Sequence, residues 1–94
     1  MKPALPNPLI RKLKAQAQRM DATLKVGKQG LSAEFLKSVD EVLGHRELIK
    51  VKFTEFKDEK KELAAALAGK TASHLIQLVG NVAVLYREKP SAKA

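Results

Sequence analysis

Proline and glycine interrupt regular structure more strongly than any other residues, and this chain confines them to a few places. All four prolines (Pro3, Pro6, Pro8, Pro90) lie near the ends of its 94 residues, so positions 9–89 are free of the strongest breaker. Five glycines punctuate that stretch. Gly27 and Gly30 bracket a loop, and Gly44 and Gly69 each follow a helical pattern where a left-handed residue is expected. Gly80-Asn81 separates two apolar runs as a hairpin turn does. The chain is thus cut into short elements of one small domain.

The apolar periods assign those elements. Asn7 reads as an N-cap with Pro8 at N1. Leu9, Leu13, Ala17 and Met20 then recur at helical spacing, which predicts a first helix to about Met20. Thr23–Val26 is a short strand. Ser32 is expected to cap a second helix whose Phe35, Leu36, Val39, Val42 and Leu43 form one stripe ending at Gly44. Glu47–Phe53 alternates, with Ile49, Val51 and Phe53 on one face and Lys50 and Lys52 on the other. A third helix is predicted from about Glu55 to Ala68, with Phe56, Leu63 and Leu67 turned inward. His74–Val79 and Val82–Arg87 close as a hairpin.

The expected fold class is therefore α/β: a single compact two-layer domain, order α-β-α-β-α-β-β, with a mixed four-stranded sheet. The domain is expected over residues 7–88, between flexible tails at 1–6 and 89–94.

Composition removes several functions. The absence of Cys excludes disulfides, thiolate metal sites, iron–sulfur clusters and a Cys nucleophile. The two histidines, His45 and His74, stand in no catalytic or metal-ligand spacing, so no catalytic residue, metal, cofactor or small-molecule substrate is expected. No apolar run approaches the ~20 residues that cross a bilayer, and the N-terminus lacks the apolar core of a secretory signal. A soluble, cytoplasmic monomer without membrane attachment is expected.

Charge placement points to a polyanion. Lys plus Arg number 18 against 10 Asp plus Glu, a net +8. Residues 1–31 hold seven bases (Lys2, Arg11, Lys12, Lys14, Arg19, Lys25, Lys28) and a single acid, Asp21. Arg11, Lys12, Lys14 and Arg19 fan across the first helix opposite its apolar stripe, with no acid on that helix. The later helices mix acids with bases, as ordinary solvated faces do. Lys50 and Lys52 add cations on the non-core face of their strand; lysines there also serve to keep an exposed edge soluble.

Gly27-Lys28-Gln29-Gly30 lies between a strand and a helix start. Two glycines allow positive φ and close backbone approach, and the following helix N-terminus offers amides that suit a phosphate. Lys28 adds a mobile charge, and Gln29 a donor for phosphate or sugar oxygens. The spacing is neither a Walker A loop nor a dinucleotide fingerprint.

Three segments together resemble the CRM domain of the stand-alone bacterial YhbY-like type. They are Val26-Gly27-Lys28-Gln29-Gly30-Leu31, Glu47-Leu48-Ile49-Lys50-Val51-Lys52, and Gly80 through Val84-Leu85-Tyr86-Arg87. The resemblance implies an α/β fold similar to the C-terminal domain of translation initiation factor three. It also implies RNA binding, with association to rRNA in precursors of the large ribosomal subunit. It assigns RNA contact to Gly27, Lys28, Gln29 and Gly30 and to the basic first helix. Family members often carry a His near the end of that helix and a Pro before the first strand, where this chain has Gln18 and Ala22.

The leading expectation is a non-catalytic RNA-binding protein whose contacts are Gly27, Lys28, Gln29, Gly30, Arg11, Lys12, Lys14, Arg19, Lys25, Lys50 and Lys52. With Phe35, Phe53 and Phe56 assigned to the core, only Tyr86 is left for stacking, so shape readout is favoured over base stacking. A basic module docking on an acidic assembly or translation factor is the alternative.

Overall fold

A computed structural model describes residues 5–88. The regular elements are α1 (Asn7–Ala17), β1 (Leu24–Val26), α2 (Ala33–His45), β2 (Leu48–Phe53), a 3-10 turn (Lys57–Glu59), α3 (Lys60–Lys70), β3 (His74–Val79) and β4 (Val82–Tyr86). The order is the expected one. The strands form one sheet, β1-β2-β4-β3, in which β1 and β2 are parallel and β4 is antiparallel to both β2 and β3. The sheet is mixed because α2 returns the chain in the same direction, whereas the two-residue turn at Gly80-Asn81 reverses it. Gly80 takes φ +59 in that turn.

The layering differs from expectation. Val26, Ile49, Val51, Phe53, Ala83 and Leu85 bury one face of the sheet against Val39 and Leu43 of α2 and Ala64, Leu67 and Ala68 of α3. Leu48 and Val84, which point the other way, pack with Leu13 and Ala17 of α1. Helices cover both faces, so the domain has three layers rather than two. The β3 strand slips its register between Leu75 and Gln77, which puts residues three apart on one face. Leu75 and Leu78 join the α2/α3 side, and Ile76 joins the α1 side.

Several ends move as well. The α1 N-cap is Pro6, with no side-chain cap, so Asn7 is already helical; the helix ends at Ala17. Ser32 caps α2 as expected, its Oγ accepting from the Phe35 amide at 3.1 Å. Gly44 and Gly69 are helical residues without positive φ. The left-handed position after α3 belongs to Ala72, at φ 53. Ser73 and Ala72 amides there donate to the Ala68 and Gly69 carbonyls at 2.9 and 3.3 Å, which is the Schellman pattern. The Thr71 hydroxyl closes the end by donating to Leu67 O at 2.8 Å.

The expected tails fall outside the described residues except for Leu5 and Pro6, and Leu5 is half-buried against the α1 cluster. No helix among the described residues is long and apolar enough to cross a membrane.

Candidate nucleic-acid interface

The β1–β2 pairing decides which cations stand together. Leu24 and Val26 turn toward α2 and α3, so Lys25 between them faces the α1 side. Its partner in the register is Lys52, which strand alternation also puts on the α1 side. Both are exposed. Like charges directly opposite one another on neighbouring strands destabilise a sheet, and neither lysine has an acidic partner within ion-pair distance among the described residues.

Lys50, two residues back on the same face, has a different fate. Its ammonium donates to the carbonyls of Ala17 and Met20 at 3.0 and 2.9 Å. The Ala17 oxygen ends α1, where the dipole is negative, and also accepts from the Met20 amide at 3.0 Å; the Met20 oxygen lies in the turn after the helix. Lys50 is thereby a tether between α1 and the sheet, and it is no longer a free cation. Lys50→Met, which keeps the alkyl stem, is expected to cost about 1–2 kcal/mol of stability. Urea unfolding measures this, and a cost below about 0.5 kcal/mol would return Lys50 to the free cations.

The glycine loop begins where β1 ends. The Gly30 amide donates to the Gly27 carbonyl at 3.0 Å, making a tight turn with Lys28 and Gln29 exposed at its tip. Of the two glycines only Gly30 needs positive φ (+63); a Cβ at Gly27 would meet nothing within 4 Å. Gly27 thus leaves its backbone open to approach, while Gly30 makes the turn. The base of the loop is pinned, because the Val26 carbonyl accepts from Thr54 Oγ1 at 2.9 Å and from the amides of Thr54 and Glu55 at 3.1 and 3.3 Å. The α2 N-terminus is less available than expected. The Ser32 cap takes the Phe35 amide, and exposed Glu34 already occupies the first turn.

The bases expected on the first helix do not form one face, and Arg19 lies in the turn beyond the helix end at Ala17. Lys12 and Arg19 line a groove with Gln16, Glu47 and Tyr86. Lys14 stands about 200° round the helix from Lys12, and Arg11 and Lys14 are exposed away from that groove. Tyr86 is half-buried in the α1 cluster, its ring 6.4 Å from that of His74. Burial pushes the Tyr86 phenol up from its ordinary pKa, with Glu47 and Glu88 adding to the rise; the hydroxyl keeps its proton at neutral pH. Arg87 serves the fold: Nη1 donates to Asp40 Oδ1 at 2.6 Å and Thr71 O at 2.9 Å, and Nη2 to Asp40 O at 3.0 Å.

Two site features escaped sequence reasoning. The Lys25–Lys52 contact depends on a register that only the pairing of distant strands fixes. Phe56, assigned to the core, is 40% exposed and lies against the loop; an ideal Cβ on Gly30 would stand 3.4 Å from its Cε2. The signal that could have found it is the isolation of Phe56 between Glu55 and Lys57-Asp58-Glu59, a polar run poorly suited to a helix core. Among the described residues no group of His, Asp and Glu is gathered as a metal site.

Comparison with known proteins gives a consistent picture. Residues 5–87 match the CRS1 / YhbY (CRM) domain family. The chain is 36% identical over 82 residues to "Probable RNA-binding protein YqeI" of Bacillus subtilis (strain 168), covering 86% of this chain and 85% of that one. It is 34% identical over 82 residues to a protein named "RNA-binding protein" from Haemophilus influenzae, covering 86% and 83%. The solution structure of the hypothetical protein SAV1595 from Staphylococcus aureus superposes with a TM-score of 0.80 at 37% identity, covering 96% of this chain and 95% of that one.

Proposed function

The chain belongs to the CRS1 / YhbY (CRM) domain family, and from that premise we propose that it is a non-catalytic RNA-binding protein acting on rRNA in precursors of the large ribosomal subunit. The relatives quoted above are named as RNA-binding proteins, not enzymes. One observation carries the reading: Lys25 and Lys52 sit side by side, exposed and unneutralised, on the strand pair that leads into the Gly27–Gly30 turn with Lys28 at its tip. A phosphate backbone lying along this edge relieves the Lys25–Lys52 repulsion, so binding recovers what the fold gives up. Gly27 and the exposed loop amides let the backbone come close, and Gln29 donates to phosphate or sugar oxygens. Arg11, Lys12, Lys14 and Arg19 extend the positive field on the α1 side and steer encounter.

Counterion release tests the reading. Affinity for fluorescein-labelled fragments of large-subunit rRNA, measured by anisotropy over a range of KCl, is expected to fall steeply with salt. Lys28→Ala should weaken binding several-fold and reduce the magnitude of the log–log slope by about 0.7 for an unpaired strand. A salt-independent affinity, or an unchanged slope in Lys28→Ala, would remove the loop from the interface. Crosslinking in cells, followed by sequencing of the attached RNA, tests the rRNA assignment: recovery spread evenly over messenger RNA would sink it.

A further inference from the structure

Phe56 is an expensive choice of residue. It holds φ 57 in the left-handed region with 40% of its surface exposed. A bulky side chain at positive φ is an outlier held against strain, and an exposed ring forgoes the gain of burial. Gly or Asn would make the same turn with less strain.

The ring is nevertheless held in place. Its Cε2, Cζ and Cδ2 lie 3.4, 3.7 and 4.0 Å from where a Gly30 Cβ would be, so the bare α-carbon of Gly30 gives the ring its seat. The hydrogen bonds of Thr54 and Glu55 to the Val26 carbonyl fix the chain that carries it. A rigid aromatic surface therefore stands beside the turn that carries Lys28.

Charge around the ring narrows what it can meet. Lys28 is exposed on the turn against which the ring lies, and Lys25 and Lys52 stand on the α1 side of the strand pair that leads into that turn. Glu55, Asp58 and Glu59 flank Phe56 along the chain with Lys57 among them, all exposed, so the segment keeps a net negative charge that disfavours phosphate. A polynucleotide that keeps its phosphates on the lysines turns its bases toward the ring. Base–aromatic stacking is indifferent to sequence, since every base has a flat face. We infer that Phe56 is a stacking platform for one unpaired base of an RNA strand whose backbone crosses the Gly27–Gly30 turn. The inference rests on the RNA-binding reading above and adds to it a contact that only unpaired RNA can make.

The test compares two probes, a fluorescein-labelled oligouridine and a blunt RNA duplex of equal length, on the full chain and on variants. Phe56→Gly removes the ring while suiting the backbone, and far-UV circular dichroism checks its fold. It is expected to bind oligouridine about ten-fold more weakly and the duplex within about two-fold of the parent. The chain has no Trp, so Phe56→Trp installs a unique fluorophore. That variant should retain oligouridine affinity, with its emission quenched by oligouridine and not by the duplex, a readout that stands even if Phe56→Gly unfolds. Lys28→Ala should weaken both probes. Unchanged oligouridine affinity in folded Phe56→Gly overturns the platform and leaves the lysine edge standing, as does Trp emission that is unmoved while anisotropy reports bound RNA. Failure of the parent protein to bind either probe overturns both.

Discussion

Reversing both lysines of the β1–β2 pair, in K25E/K52E, is expected to weaken RNA binding by about 100-fold or more near ~0.1 M salt and to leave the thermal midpoint nearly unchanged. The binding loss comes from two cations removed and two anions placed where phosphates would run. Stability is spared because Lys25 and Lys52 are register partners: a repelling pair of lysines becomes a repelling pair of glutamates. The single variant Lys52→Glu sharpens the point. It puts opposite charges on neighbouring positions of the parallel strand pair, which slightly stabilises the sheet, while still removing a phosphate contact. Stability and affinity then move in opposite directions, a result that misfolding cannot produce. Thermal denaturation and anisotropy on the same samples measure both, and a loss of affinity below about three-fold in the double variant would show that the strand edge is not the interface.

Why this pair was invisible in the sequence is a matter of range. Period-two alternation puts Lys50 and Lys52 on one face of their strand, and it does so correctly. It cannot say that the end of α1 lies over Lys50 and stops short of Lys52, because that depends on where a helix docks. Nor can it say that Lys25, 27 residues earlier, is the neighbour of Lys52. The element order was legible because proline is absent from 9–89, glycines punctuate that stretch, and the apolar period changes cleanly between segments. The layer count was legible in principle. Val82–Leu85 is an unbroken apolar run, the mark of a strand covered on both sides, and Ala83 and Leu85 do face one cluster while Val84 faces the other.

The glycines mislead for a related reason. Gly44 and Gly69 sit one residue before the helix ends, where composition alone suggests a left-handed stop, yet both stay helical. The chain turns instead at Ala72, since the Ser73 amide and the Thr71 hydroxyl satisfy the last carbonyls of α3 and fix the exit. Local hydrogen bonding outweighs the roughly 1 kcal/mol preference of a glycine.

Phe53→Ala is expected to cost about 3–5 kcal/mol, against a total of only about 5–15 kcal/mol for a domain of this kind. Phe53 is fully buried among Val26, Val39, Val51 and Leu67, on the last residue of β2 beside the end of β1. Its removal leaves a cavity that neighbours on two strands and two helices cannot close together. At about 4–8 °C per kcal/mol for a domain near this size, the midpoint should fall by more than about 12 °C. Phe56, three residues later, fits the apolar stripe of the third helix on paper, yet the left-handed turn at Phe56 and the 3-10 turn after it break the helical phase before α3 begins. The two phenylalanines should therefore separate cleanly. Phe53→Ala loses fold, with its remaining folded fraction binding RNA at full affinity, because the ring is buried on the face opposite Lys25 and Lys52. Phe56→Gly keeps fold and loses affinity. Circular dichroism melts with anisotropy at low temperature distinguish them, and a midpoint loss below about 5 °C in Phe53→Ala would mean that the core closes around the gap more readily than its packing allows.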